Sequence, residues 1–134
     1  MITELVERHR ETAGPVELLI DPTLEVSGET VGLVAYRLVQ EALANVARHA
    51  PGAAARVEVR DSGDGVRVVV EDDGRVTVPA GPVTRGRESS DDDSGFGLIG
   101  MGERVALCGG TLLTGPAPQG GFRVEAHLDR RPAP

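Results

Sequence analysis

Arg37, Glu41, Asn45 and His49 recur every four residues through the segment Tyr36 to Ala50 (YRLVQEALANVARHA). At helical spacing they form one polar stripe, while Leu38, Ala42, Leu43, Val46 and Ala50 line the other side. An ordinary surface helix shows solvent a mixture of exchangeable charges. This one repeats a carboxylate, a carboxamide and cationic or imidazole groups beside small alanines, a set that suits a metal ion and phosphates.

Two other strings carry residues with chemical potential. In Val68-Val69-Val70-Glu71-Asp72-Asp73-Gly74 a carboxylate leaves the end of an apolar run and a glycine follows. Asp72 can there offer an acceptor to an amine-bearing base, with the glycine backbone passing close beneath it. Taken alone, the string is explained more simply as a surface Asp-Asp-Gly turn. Gly95-Phe96-Gly97-Leu98-Ile99-Gly100-Met101 leaves a loop and enters a helix. Glycines at such a junction let backbone amides approach a phosphate, and the helix dipole favours the anion. A dinucleotide fold would need this turn after the first strand of a βαβ unit, with an acidic residue about 20 positions further on. Neither condition is met.

The elements that must position these groups follow from periodicity. Residues 2 to 12 place Ile2, Leu5, Val6 and His9 at helical spacing, and Gly14-Pro15 ends that helix before a strand from Val16 to Ile20. Ser27 can cap the next helix, Glu29 lies in its first turn, and Pro51-Gly52 closes it. Arg56 to Arg60 and Val66 to Val70 form a hairpin around the turn from Asp61 to Gly65. Residues 77 to 94 (TVPAGPVTRGRESSDDDS) lose all periodicity, and loops of this length inside compact domains tend to be lids or binding loops. Leu98 to Cys108 reads as a helix, and Thr111 to Thr114 and Phe122 to Leu128 as strands joined by Gly115 to Gly121. The alternation implies an α/β fold, a two-layer sandwich. Residues 129 to 134 form a frayed tail.

Composition narrows the possible partners. The 134 residues suit one domain, and with 40 % hydrophobic but only 2 % aromatic residues the core must be built from Val, Leu, Ile and Ala. Net charge is −7, and every basic residue is Arg, so the lysine-dependent phosphate loop GxxxxGK[ST] is impossible. The acidic balance argues against nucleic acid as a partner. The single Cys108 excludes an internal disulfide, suits a reducing cytoplasmic compartment, and in Val105-Ala106-Leu107-Cys108 reads as core. His9 reads as a solvent-facing helical histidine and His127 as structural, and three scattered His with one Cys give no zinc spacing. Asp91-Asp92-Asp93 reads as a solvated loop segment. No stretch approaches the roughly 20 apolar residues of a membrane span, and Met1 to Arg10 has no apolar signal region, so no direct membrane contact is expected.

In order along the chain, EALANVARHA, VEDDGR, GFGLIGMGERV, and GGTLL with QGGFRV closely resemble the ATP-binding catalytic domain of bacterial sensor histidine kinases, over roughly residues 14 to 128. Within that family the first and third strings look like the nitrate-sensor and DesK-like branch. The resemblance implies a Bergerat-type two-layer α/β sandwich, a mixed sheet covered by helices on one face, that binds ATP with Mg²⁺. It implies that Asn45 binds Mg²⁺ and that Glu41 orients the metal's water, both as catalytic residues, with Arg48 and His49 facing phosphates. Asp72 would receive the adenine amine, with Gly74 beneath the base. Gly95, Gly97 and Gly100 would approach phosphates, Leu98 and Met101 would flank the nucleotide, and residues 77 to 94 would be the ATP lid. Mg²⁺ needs only a few protein oxygens beside water and phosphates, and phosphoryl transfer depends mainly on positioning and charge stabilisation.

In a full-length kinase of this kind, a homodimer, the γ-phosphoryl passes to a histidine on a dimerising helical hairpin and then to a response-regulator aspartate. No such hairpin fits before residue 14, so residues 1 to 13 are expected to be a leading helix or the remnant of a connection to a dimerisation domain. On that expectation the chain would be a fragment that binds ATP and lacks its substrate histidine in cis. It departs from the family pattern at Val76, where a second glycine is common, at Phe96, where His is frequent, and at Phe122, near a frequent Thr. Two other functions fit the same fold. One is an anti-sigma-factor-type serine kinase of this superfamily, which GLIGMGERV matches less well. The other is a degenerate, non-catalytic partner-binding module.

Overall fold

The computed structural model describes residues 2–21, 29–63, 65–75, 99–107 and 109–129. Ser27, Val76, the segment 77–94, Gly95, Phe96, Gly97, Leu98, Cys108 and the tail from residue 130 lie outside the described residues. Helix α1 (Ile2–Thr12) buries Ile2, Leu5, Val6 and His9 along one stripe. The amides of Ala13 and Gly14 both donate to the His9 carbonyl, and Pro15 cannot continue the helix. His9 corrects the solvent-facing expectation: three and four residues beyond Val6 and Leu5, it completes their stripe and is only 7 % exposed. Its Nε2 finds no hydrogen-bond partner among the described residues, and burial pushes its pKa down.

Helix α2 (Glu29–His49) contains β-branched residues and Gly32, so its stability rests on packing more than on propensity. Val31, Val34, Ala35, Leu38, Val39, Ala42, Leu43 and Val46 are all buried in one core. Arg48 and His49 in the last turn match the helix dipole. Beyond Pro51, Gly52 takes φ 84°, a left-handed conformation suited to glycine. A third helix, α3, covers residues 99–107. It buries Met101 and Val105, one turn apart.

Strands β1 (Val16–Ile20), β2 (Ala55–Asp61), β3 (Gly65–Asp72), β4 (Thr111–Pro116) and β5 (Phe122–Asp129) form one sheet in the order β1-β2-β3-β5-β4. β1 and β2 run parallel and the other pairs antiparallel, which makes the sheet mixed. Val57, Val59, Val68, Val70, Val124, Ala126 and Leu128 point to one face and join the helical residues in a single core. The two-layer sandwich expected from the element order is therefore the architecture. Two strand ends lie two residues beyond the expected ones. Ala55 pairs with Asp72, so Asp72 closes β3 instead of following it. β4 runs on through Gly115 to Pro116, because an edge strand with one neighbour tolerates proline.

The opposite face of the sheet is polar. Glu125 accepts from Arg67 Nε at 3.0 Å and Arg123 at 2.9 Å and pairs with His127 at 3.0 Å, while Arg123 also bonds Glu71 at 2.9 Å. The guanidinium of Arg67, followed by that of Arg123, holds the Glu125 carboxyl at a pKa of about 2. Val69 lies on this side, in register with Glu58 and Glu125, and is 2 % exposed beneath the network. Among the described residues no helix is long and apolar enough to cross a membrane.

Candidate functional site

The connection over residues 50–54 is short, and it leads to Ala55, which pairs with Asp72. The last turns of α2, carrying Asn45 and His49, therefore reach the end of the sheet where β3 terminates. Burial along the polar stripe peaks in its middle: Arg37 and His49 are exposed, Glu41 is half-buried and Asn45 is 9 % exposed. Buried side-chain carbonyl oxygens are nearly always hydrogen-bonded. Asn45 Oδ1 is buried and finds no partner among the described residues.

An orphan oxygen of this kind costs about 1–3 kcal/mol, and it is the hard, neutral donor that Mg²⁺ accepts. Among the described residues no three His, Cys, Asp or Glu cluster as a ready-made metal site. A cation on Asn45 would thus complete its shell with Glu41 one turn away, phosphate oxygens and water, and the residues present fit Mg²⁺ on those terms. Arg48 and His49 are exposed, and each already has an interaction partner.

Asp72 is the other half of the candidate site. Its side chain lies on the helix-covered face, by alternation with Val68 and Val70, and the residue is 7 % exposed. The Gly74 amide donates to Oδ1 at 2.8 Å and the Phe122 amide to Oδ2 at 3.4 Å. The local sequence explains the first bond, an Asx turn in which a side chain caps the amide two residues on. It explains Gly74 only in part. Gly74 has φ 70°, and a Cβ there would sit 2.8 Å from the Gly120 carbonyl oxygen. Two glycine turns thus pack backbone on backbone.

The remaining candidates are placed as follows. Gly100 belongs to α3, and a Cβ there would meet nothing within 4 Å, so space alone does not demand glycine. Met101 is 4 % exposed and lies in the core cluster, where it anchors α3. Gly95, Gly97 and Leu98 lie outside the described residues. Read from sequence, Gly120 and Gly121 belong to a connector, which does not reveal the approach of Gly121 to Asp72 or of Gly120 to Gly74. The adjacent glycines opening a strand in QGGF were the available signal, since a strand-end glycine often marks a close backbone approach.

Residues 30–132 match the family model described as histidine kinase-, DNA gyrase B- and HSP90-like ATPase. The chain is 33 % identical over 116 residues to the sensor histidine kinase YxjM of Bacillus subtilis, covering 78 % of this chain and 26 % of that protein. It is 30 % identical over 131 residues to the signal transduction histidine-protein kinase/phosphatase UhpB of Salmonella typhimurium, covering 98 % of this chain and 23 % of that protein. Among solved structures, the catalytic domain of histidine kinase ThkA superposes with a TM-score of 0.65 at 16 % identity, covering 98 % of this chain and 92 % of that one, a likeness of fold. The chain belongs to the family of histidine kinase-, DNA gyrase B- and HSP90-like ATPases. It spans about a quarter of the length of these two curated relatives.

Proposed function

We propose that this chain is the ATP-binding catalytic domain of a two-component sensor histidine kinase. In the full protein it would deliver the γ-phosphoryl of ATP to a histidine on a dimerisation domain, from which a response-regulator aspartate receives it. The observation that carries this reading is the buried Oδ1 of Asn45, which has no partner among the described residues, on the helix whose sequence carries the family's first motif. A buried carboxamide oxygen left without a donor is a cost that a bound cation removes.

Asn45 and Glu41 would hold Mg²⁺, which when bound neutralises phosphate charge and orients the phosphoryl group. Arg48 and His49, at the exposed end of α2, would meet the phosphates. Asp72, its carboxylate fixed by two backbone amides, would accept from the amine of adenine. Gly95, Gly97 and Gly100 would approach the phosphates and Leu98 would flank the nucleotide. Met101 acts by seating α3 in the core, and residues 77–94 would be the lid. No step needs a covalent nucleophile on this chain, because positioning and electrostatics supply most of phosphoryl-transfer catalysis.

Calorimetric titration of the chain with Mg·ATP tests the proposal. Saturable heat at submillimolar nucleotide that disappears with EDTA is the expected result, together with phosphorylation of a histidine-bearing dimerisation domain supplied in trans. No heat at millimolar nucleotide overturns it.

A further inference from the structure

We infer that the β4–β5 turn, acting through Gly121, is the element that positions Asp72 for base recognition, so that residue 121 determines nucleobase specificity without contacting the base. This rests on the proposed role of Asp72 as the carboxylate that reads adenine. Asp72 and Gly121 are far apart in sequence yet in direct contact: a Cβ built on Gly121 would run into both the carbonyl oxygen and Oδ1 of Asp72. No other residue type fits there while Asp72 keeps its position.

The turn is held in place by its own backbone. Ala117 N–H donates to the Gly121 carbonyl at 2.8 Å and Gly120 N–H to the Ala117 carbonyl at 3.1 Å. Gly120 takes φ 105°, a left-handed conformation that side chains resist. The next residue, Phe122, supplies the amide that reaches Asp72 Oδ2 at 3.4 Å, while Gly74 serves Oδ1 at 2.8 Å. The turn is thus both a wall against one carboxylate oxygen and a donor to the other. A carboxylate has two soft torsions, and hydrogen bonds to both oxygens plus a wall restrict them. The base's amine then meets an acceptor already aimed.

The turn and Asp72 together border a groove of about 470 Å³, with Ala55, Asp73, Ala117 and Pro118 in its lining. An alanine at 121 must therefore shift either the turn or Asp72, and both border that groove. Gly115, inside β4, is the matched control, since a Cβ there meets nothing within 4 Å.

The experiment measures binding of Mg·ATP and of Mg·inosine triphosphate, whose ring carries a carbonyl in place of the amine. The wild-type chain is expected to prefer ATP by on the order of 10- to 100-fold, the worth of one hydrogen bond to a charged group. Gly121→Ala is expected to cut this preference to within about threefold by weakening ATP while leaving the inosine nucleotide nearly unchanged, and Gly115→Ala to retain it. Phe122→Pro removes the amide donor at the first residue of a strand, where proline is tolerated, and is expected to lower the preference part-way, while Phe122→Ala, which loses the ring and keeps the amide, is expected to retain it. This pair decides the matter alone should Gly121→Ala fail to fold. A wild-type chain that does not discriminate refutes the role of Asp72 itself. A discriminating wild type with undiminished preference in the folded variants overturns the positioning role of the turn.

Discussion

Replacing Asn45 with alanine should stabilise the nucleotide-free chain while abolishing its response to nucleotide. Three contributions set the size of the effect. Removing an unpartnered buried oxygen recovers about 1–3 kcal/mol. Alanine in the interior of α2 gains roughly 0.5–0.7 kcal/mol of helix propensity over asparagine. Against these, the packing of the carboxamide group is lost, about 1 kcal/mol on the scale of a buried methylene. The net is a gain of about 1–2 kcal/mol, or a rise in Tm of about 3–8 °C for a domain of this size.

With Mg·ATP at about 100 times Kd, the wild-type chain gains about 2.7 kcal/mol by mass action. The variant, without its metal ligand, gains little at the same concentration. The two urea melting curves should therefore exchange order: variant above wild type in EDTA, below it with Mg·ATP. A variant less stable than wild type in EDTA refutes the claim that Oδ1 is an uncompensated cost. A variant that retains the full nucleotide-dependent shift refutes the metal role.

Two further outcomes concern pH. His9, buried with no partner at Nε2 among the described residues, has a folded pKa lowered by burial, so its protonated form favours unfolding. Its contribution is unpenalised above the unfolded value of about 6.5 and stability falls as pH drops below it. His9→Leu should flatten the urea midpoint between pH 7.5 and 5.5 and leave Mg·ATP affinity unchanged; a slope equal to wild type would count against the burial argument. Glu125 has its folded pKa lowered to about 2 by Arg67 and Arg123. Its stabilisation is present above the unfolded value of about 4.3 and is lost as pH falls toward 2. Glu125→Gln should therefore cost about 1 kcal/mol at pH 7, with the difference from wild type shrinking steadily below pH 4; a pH-independent difference would show that packing, not charge, is responsible.

Much of the architecture was legible because periodicity is a local property. The run from Leu38 to Ala50 declared its buried side correctly, since residues three and four apart must share a helix face. The hairpin of β2 and β3 followed from alternation around a glycine turn. At His9 residue type and position conflict: an imidazole suggests solvent, yet its place on the stripe of Ile2, Leu5 and Val6 puts it inside. Asp72 and Pro116 were placed beyond their strands because acids and prolines usually punctuate, whereas pairing with Ala55 and Phe122 keeps them in the ladder. The contact between Gly121 and Asp72 could not be read from either segment alone. It exists only because β5 lies beside β3 in the sheet order.

The two ends of the candidate site differ physically. At the base end, both oxygens of Asp72 already accept backbone amides, so the acceptor is preorganised and little free energy remains to be recovered when a ligand arrives. At the proposed metal end, Asn45 Oδ1 is buried and has no donor among the described residues, so a cation there would recover a cost left uncompensated by those residues. Selectivity should therefore reside mainly with Asp72 and the turn that aims it, and the dependence of folded stability on ligand mainly with Asn45. That division follows from where the hydrogen bonds are satisfied, and both halves can be perturbed separately because no described hydrogen bond links Asn45 to Asp72.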